Sequence, residues 1–493
     1  MNVPLRRVAV FCLLLFVALM INANYVQVID AKSLSTNPHN TRLLITEYSY
    51  QRGDILVDGD AVAESVATKS GGLAYQRTYP GKGLFAPVTG YYSLVYGASQ
   101  LESADNDILA GTDPRLTLDR LQTLLGGKQT QGGSVVTTLS RAAQTAAGKA
   151  LGDRQGAVVA LDPKTGAILA LVTNPSYNPG SVSSDDTTGD VRRWDALVKN
   201  PLQPLLDRAT QASYPPGSTF KIVTTAAALS SGRFTPATQV PDPAELALPL
   251  TSHVLHNFES ETCSPNPTQS LADALRVSCD TAFAKIGLEL GPAAVRAQAE
   301  KFDFTSDVPN FPLSQNPSTF LPVPSNAPAF TALDAIGQGD VSATPLHMAM
   351  IAEAIADGGV EMTPYVVART LAPNLSTLST TSPRQLAQPV TATVANEIKA
   401  MMVSVVADGT GRAAAIPGVQ VAGKTGTAET GRANRLDDWF VAFAPANDPT
   451  IAVAVVVANQ PGLGETNQGG LVAAPVARQV IAAYLDATRS ART

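Results

Sequence analysis

Apolar positions fall into three patterns along the chain. An unbroken apolar run, Val8 to Ile21, opens it, with Arg6 and Arg7 directly before. Positive charge ahead of an apolar segment keeps the N-terminus inside and sends the remainder across the membrane. The run alone is the length of a signal-peptide core. Carried past Asn22 and Asn24 to about Ile29, it is long enough to span. The cleavage site around Ala23 is poor, so the expectation is a retained anchor over residues 1–30. Residues 31–60 are polar with short strand-like runs. Residues 60–135 hold scattered apolar positions among Gly, Ser and Tyr, which predicts an irregular, strand-rich region. An Ala/Leu pattern at helical spacing over 138–151 predicts a connector.

At Gly156 the pattern changes. Residues 157–162 and 167–173 are β-rich runs separated by Pro163-Lys164-Thr165-Gly166, a turn signal. Helical periods follow at about 219–230, 269–277, 281–290 and 345–357. A second hairpin is predicted from Asp438–Ala444 and Thr450–Ala458, and a last helix from about Ala474 to Thr488. Strands, many helices, then strands and a helix describe an α+β fold. The economical arrangement is one antiparallel sheet built from both ends of this region and covered by helices. The expected domains are the anchor 1–30, a non-catalytic N-terminal domain over 31–152 and a catalytic domain over 153–493.

Composition narrows the function classes. The chain has 493 residues, 45% hydrophobic and 15% charged, with a net charge of −6. No basic cluster lies beyond the N-terminus, which argues against nucleic acid as a partner. Beyond the anchor, Cys263 and Cys279 face an oxidising space and form either one disulfide or two buried thiols. His253 and His256 stand upstream of Cys263, but that spacing matches no common zinc site, so no metal is expected.

The strongest chemical signal is Tyr214-Pro215-Pro216-Gly217-Ser218-Thr219-Phe220-Lys221. Two prolines and a glycine forbid helix before Ser218, and Ile222 to Leu229 permits it afterwards. Ser218 is thus expected at a helix start, where free N–H groups favour developing negative charge. Lys221, three residues on, shares its face and accepts the serine proton if burial or a nearby cation keeps it neutral. The plainer reading is an N-cap serine with a solvent-facing lysine. Ser278-Cys279-Asp280 lies between two helical stretches. Ser278 can relay a proton, or the triplet is helix punctuation with Asp280 as N-cap. Lys-Thr-Gly occurs twice. Lys164-Thr165-Gly166 reads as a hairpin turn. Lys424-Thr425-Gly426-Thr427 reads as a strand whose alternate side chains face a cleft. There Lys424 would anchor an anionic group and depress the Lys221 pKa. Gly426 would let a substrate backbone lie close. The Thr427 and Ser218 N–H groups would form an oxyanion hole.

Ser-x-x-Lys, Ser-x-Asp and Lys-Thr-Gly in this order resemble the motif set of penicillin-binding proteins and class A β-lactamases. Wider context sharpens the resemblance to class B penicillin-binding proteins: the run Tyr214–Lys221, Gly337-Gln338-Gly339 with Thr344-Pro345-Leu346, Gly423 to Glu429, Asp438-Trp439-Phe440 and Ala473-Ala474-Pro475. Asn40-Thr41-Arg42, Arg52-Gly53 and Gly97 with Leu101-Glu102 resemble that class's non-catalytic domain. The Ser-Cys-Asp triplet and the compact length are most similar to its actinobacterial branch.

The resemblance implies a D,D-transpeptidase that cross-links peptidoglycan stem peptides and needs no cofactor. Ser218 would be the nucleophile, Lys221 the base and Ser278 the relay. Lys424, Thr425, Gly426 and Thr427 would bind the substrate carboxylate and oxyanion, and β-lactams would acylate the same serine. It further implies lipid-linked glycan strands as substrate. Because residues 31–150 are short for a polymerase, a polytopic membrane glycosyltransferase is the implied partner. The location implied is a single-pass membrane protein with its catalytic domain outside.

One departure stands out. The family places Asn where this chain has Asp280, and an ionised carboxylate cannot donate to a substrate carbonyl. Asp280 instead pairs with Lys221 and raises its pKa, carries a proton, or turns toward Lys424. The expectation is slowed but not abolished acylation. Rival readings are a D,D-carboxypeptidase, which differs only in taking water as acceptor, a β-lactamase, and a catalytically impaired wall scaffold or sensor.

Overall fold

The computed structural model describes residues 2–30, 48–68, 73–117, 131–257, 262–324, 327–431, 435–461 and 469–491. Asn40-Thr41-Arg42 therefore lies outside the described residues.

The two β-rich runs after Gly156 pair as Gly156–Leu161 with Ile168–Asn174. The strands near the C-terminus join them in one five-stranded antiparallel sheet. Its order is Ala422–Glu429, Arg435–Ala444, Ile451–Pro461, Gly156–Leu161, Ile168–Asn174. The central strands read as continuous apolar runs because both faces are covered. Val158 and Ala160 pack in one core with residues of the helices Arg141–Leu151 and Ala474–Ser490. Ala157, Val159 and Leu161 alternate with them and face a second core that includes the helix Pro345–Ala356. That helix is buried on every side, and its positions are apolar except for the buried His347 and Glu353. Lys221–Ser230 is likewise enclosed, packed against Asp280–Leu290, Pro292–Lys301 and Ala392–Ala407.

A second sheet runs Thr377–Thr380, Val367–Leu371, Ser134–Thr137, Ile55–Val57, Asp60–Ala67, Tyr75–Thr78. Ile55–Val57 pairs in parallel with Ser134–Thr137, and the other neighbours are antiparallel. Its first two strands come from far along the chain, so this sheet is completed by residues beyond 152. Beneath it Glu102 is fully buried between Arg52 (2.7 Å) and Arg77 (2.6 Å). The Tyr79 hydroxyl donates to the same carboxylate at 3.1 Å.

The N-terminal helix Asn2–Asn24 continues as a π-helical turn over Tyr25–Ile29. Its apolar stretch Arg6–Gln27 has 22 residues, a mean hydropathy of 2.2 and no burial against the rest of the protein. At 1.5 Å per residue it is about 33 Å long, enough to cross a hydrocarbon core.

Two element boundaries differ from the sequence reading for local reasons. Gly217–Phe220 is a 3₁₀ turn, and the α-helix proper starts at Lys221. The helix expected from 269 begins at Leu271, because Thr268–Ser270 pairs with Gln239–Pro241 and the Ser270 hydroxyl caps the Asp273 N–H at 3.0 Å.

Candidate active site

The turn carrying Ser218 is clamped from three sides. Pro215 and Pro216 restrict it from within. The Trp439 indole donates to the Pro215 carbonyl at 2.9 Å, and the Gly217 N–H donates to the Gly337 carbonyl at 2.8 Å. Gly217 sits at φ +52°, where a Cβ would lie 2.7 Å from the Thr427 carbonyl oxygen. A Cβ on Gly337 would stand 2.1 Å from the Gly217 oxygen. Only glycines allow this approach, and it sets Ser218 against the strand Ala422–Glu429. Trp439 and Gly337 appear in the sequence only as fragments of longer resemblances. Their work here is to hold the serine turn.

Lys221 points from the first turn of its helix into a sealed position with no exposed surface. Its Nζ donates to the Ser278 carbonyl (2.7 Å) and the Asp280 Oδ1 (2.8 Å), with the Ser278 Oγ at 3.4 Å. The Phe283 ring centroid is 5.4 Å away. The Ser218 Oγ reaches the same Asp280 Oδ1 at 3.5 Å. The alternative of a solvent-facing Lys221 does not fit this burial.

Ser278 adopts φ +66°, a left-handed conformation that is uncommon outside glycine. It turns the chain between the helices Leu271–Arg276 and Asp280–Leu290, so the triplet does punctuate two helices, but Asp280 is not the N-cap that the plain reading made it. Asp280 is the first helical residue, with Cys279 at the N-cap. The cap that Cys279 cannot provide comes from Asn257, whose Oδ1 accepts from the Thr281 N–H at 3.0 Å. Cys279 is joined to Cys263 in a disulfide, which takes Cys263 out of any zinc site. Asn257 carried no signal in the sequence, since its partner lies 24 residues on.

Lys424, also fully buried, donates to the Ser278 Oγ at 2.7 Å and to the Thr425 carbonyl at 2.9 Å. Ser278 is thus the polar link between the two lysines. Thr425 shares a 2.7 Å hydrogen bond with Thr410. The Thr427 hydroxyl accepts from the Gly469 N–H (3.1 Å) and lies 3.5 Å from the Asp438 carboxylate. Burial pushes the Asp438 carboxyl up to about 7, against the Thr427 hydrogen bond, which favours the carboxylate. A Cβ at Gly426 would meet the Pro216 oxygen at 2.8 Å. The other Lys-Thr-Gly is a hairpin turn, with the Lys164 N–H donating to Asp162 at 2.9 Å.

Burial drives the lysine electrostatics. It lowers the Lys221 pKa, and Asp280 opposes it by favouring the ammonium. Burial and then repulsion from Lys221 hold Lys424 well below the usual lysine range, again against Asp280. Two buried lysines joined through one serine, with one carboxylate hydrogen-bonded to Lys221, cannot both stay charged at low cost.

A half-buried serine on a tight turn before a helix, a buried lysine one helical turn on, and a second lysine linked through a second serine define a serine acyltransferase site. Comparison with known proteins places it further. The penicillin-binding protein transpeptidase domain matches residues 156–482, and the penicillin-binding protein A dimerisation domain matches residues 52–135. The chain belongs to the penicillin-binding protein transpeptidase family. It is 43% identical to the peptidoglycan D,D-transpeptidase PbpA of Mycolicibacterium smegmatis, over 98% of this chain and 99% of the relative. The same identity and coverage hold for PbpA of Mycobacterium tuberculosis. The structure of penicillin-binding protein A from M. tuberculosis as a ceftriaxone acyl-enzyme superposes with a TM-score of 0.86 at 42% identity, covering 90% of this chain and all of the other. Its penicillin G acyl-enzyme gives 0.84 at 41%, over 89% of this chain and all of the other.

Proposed function

We propose that this chain is a membrane-anchored peptidoglycan D,D-transpeptidase working through an acyl-enzyme on Ser218. The observation that carries this reading is the polar chain Lys221–Ser278–Lys424, which Ser218 Oγ meets through Asp280 Oδ1. The division into an anchor (1–30), an N-terminal domain (31–152) and a transpeptidase domain (153–493) goes with it, supported by the two family matches and by the exposed apolar helix.

In the mechanism, the terminal carboxylate of a D-Ala-D-Ala stem binds Lys424, Thr425 and Thr427. Ser218 Oγ attacks the penultimate carbonyl while neutral Lys221 takes its proton. The N–H groups of Ser218 and Thr427 hold the oxyanion. As the C–N bond breaks, the proton passes through Ser278 to the leaving D-Ala amine. A neighbouring stem's amine then attacks the ester carbonyl, loses its proton to Lys221 and frees Ser218. The anchor holds this site on the outer face of the membrane, and a polytopic glycosyltransferase supplies the glycan strands.

The test uses the detergent-solubilised chain, a pentapeptide ending in D-Ala-D-Ala, and an added amine acceptor. The expected result is release of D-Ala with an acyl–acceptor product that grows with acceptor concentration. D-Ala release into water alone, unchanged by acceptor, would make the protein a carboxypeptidase instead.

A further inference from the structure

Asp280 is held in place more firmly than a surface carboxylate. The left-handed turn at Ser278, the Asn257 contact to the Thr281 N–H and the disulfide at Cys279 fix the start of its helix. One carboxylate oxygen, Oδ1, takes the Lys221 ammonium at 2.8 Å and faces Ser218 Oγ at 3.5 Å. The other, Oδ2, takes part in no hydrogen bond among the described residues, and the side chain keeps 23% of its surface open. A committed oxygen toward the nucleophile and a second oxygen with no hydrogen bond among the described residues, on a partly open side chain, describe a half-used binding group.

An amide at this position offers both an N–H donor and a carbonyl acceptor. An ionised carboxylate offers acceptors only, together with a negative charge. We propose that Asp280 is a specificity-determining residue that selects acyl donors carrying an ammonium or carboxamide donor beside the reacting acyl group, and rejects donors carrying an anion there. The inference rests on the reading of Ser218 as the acylated residue. For a stem peptide it specifies what stands beside the backbone of the residue just upstream of D-Ala-D-Ala: a hydrogen-bond donor, not a free carboxylate. The substrate's own terminal carboxylate falls to Lys424 and the two threonines in the proposed mechanism, none of which hydrogen-bonds Asp280 among the described residues.

The test compares three penicillins that share one nucleus and differ at the side-chain α-carbon: ampicillin (ammonium), penicillin G (neutral) and carbenicillin (carboxylate). Second-order acylation constants are measured on the full chain and on Asp280→Asn and Asp280→Ser, with Ser218 as the labelled site. The ampicillin-to-carbenicillin ratio in the parent, divided by that in the variant, cancels the intrinsic reactivity of each drug. A single charge a few ångströms away in a partly open site changes this quotient by about tenfold. A quotient near one in both variants, with adducts on Ser218 throughout, overturns the proposal alone. Absence of any adduct on the folded parent overturns the Ser218 reading and the proposal with it.

Discussion

Lys221→Met lowers the second-order rate of penicillin acylation by about 10²- to 10⁴-fold, the span that removal of a positioned general base produces. The variant is expected to fold, because methionine fills a similar volume and the position is already sealed among apolar neighbours such as Phe283. What disappears is the proton acceptor one helical turn from Ser218. Asp280 cannot replace it: its Oδ1 lies 3.5 Å from Ser218 Oγ, but a carboxylate is a far weaker base than a neutral amine. The pH profile separates the two groups. In the parent, acylation rises with pH as Lys221 loses its proton. Burial moves that limb down and Asp280 moves it up. Asp280→Asn removes only the opposing influence, so its limb shifts to lower pH and its rate at neutral pH increases. Lys221→Met loses the limb altogether. Stopped-flow acylation across pH on the three proteins distinguishes these outcomes. Unchanged limbs in all three would remove Lys221 from the chemistry.

Glu102→Ala is the substitution expected to damage the fold most, by about 3–5 kcal/mol, the cost of stranding buried charge. Arg52 and Arg77 would keep their burial and lose the anion between them. Among the described residues Arg77 Nη2 already lacks a hydrogen-bond partner. Among their remaining contacts, Arg52 donates to the Glu102 carbonyl and to Asn106 Oδ1, and Arg77 to the Gly53 carbonyl, each at 2.7 Å and each a neutral group. Burial raises the Glu102 pKa, but Arg77 and Arg52 together outweigh it and hold the group below its ordinary 4.5. A depressed folded pKa means the contribution is complete above pH 4.5 and disappears as pH falls through the folded value. Urea denaturation at neutral pH reads the loss. The gap between parent and variant should narrow in acid. A variant as stable as the parent would mean that water or a shifted loop satisfies the two arginines.

How much of this was legible in the sequence follows the distance between partners. The Ser218 turn was readable because its prolines, glycine and following apolar run are contiguous. The Lys424 strand was readable from what it lacks: it has no proline, unlike the Lys164 copy, and it precedes a strand pair. The strands Val367–Leu371 and Thr377–Thr380 were not assigned to the N-terminal sheet, because pairing between residues over 200 positions apart leaves no local pattern. The same reason hid Asn257 and Thr410. A single buried amide or hydroxyl has no period, and its importance exists only once the chain has folded around it. Asp280 is an intermediate case. The sequence showed the unusual carboxylate and left three alternatives, pairing with Lys221, protonation or a turn toward Lys424, while only the structure singles out Lys221.

The central claim is that Ser218 forms the acyl-enzyme. Intact-mass analysis and peptide mapping of the full chain after penicillin treatment, beside Ser218→Ala, test it most directly. The account predicts one penicillin equivalent on the parent, located on the peptide containing Ser218, and none on the variant. An adduct elsewhere, or no adduct on a folded parent, would contradict it.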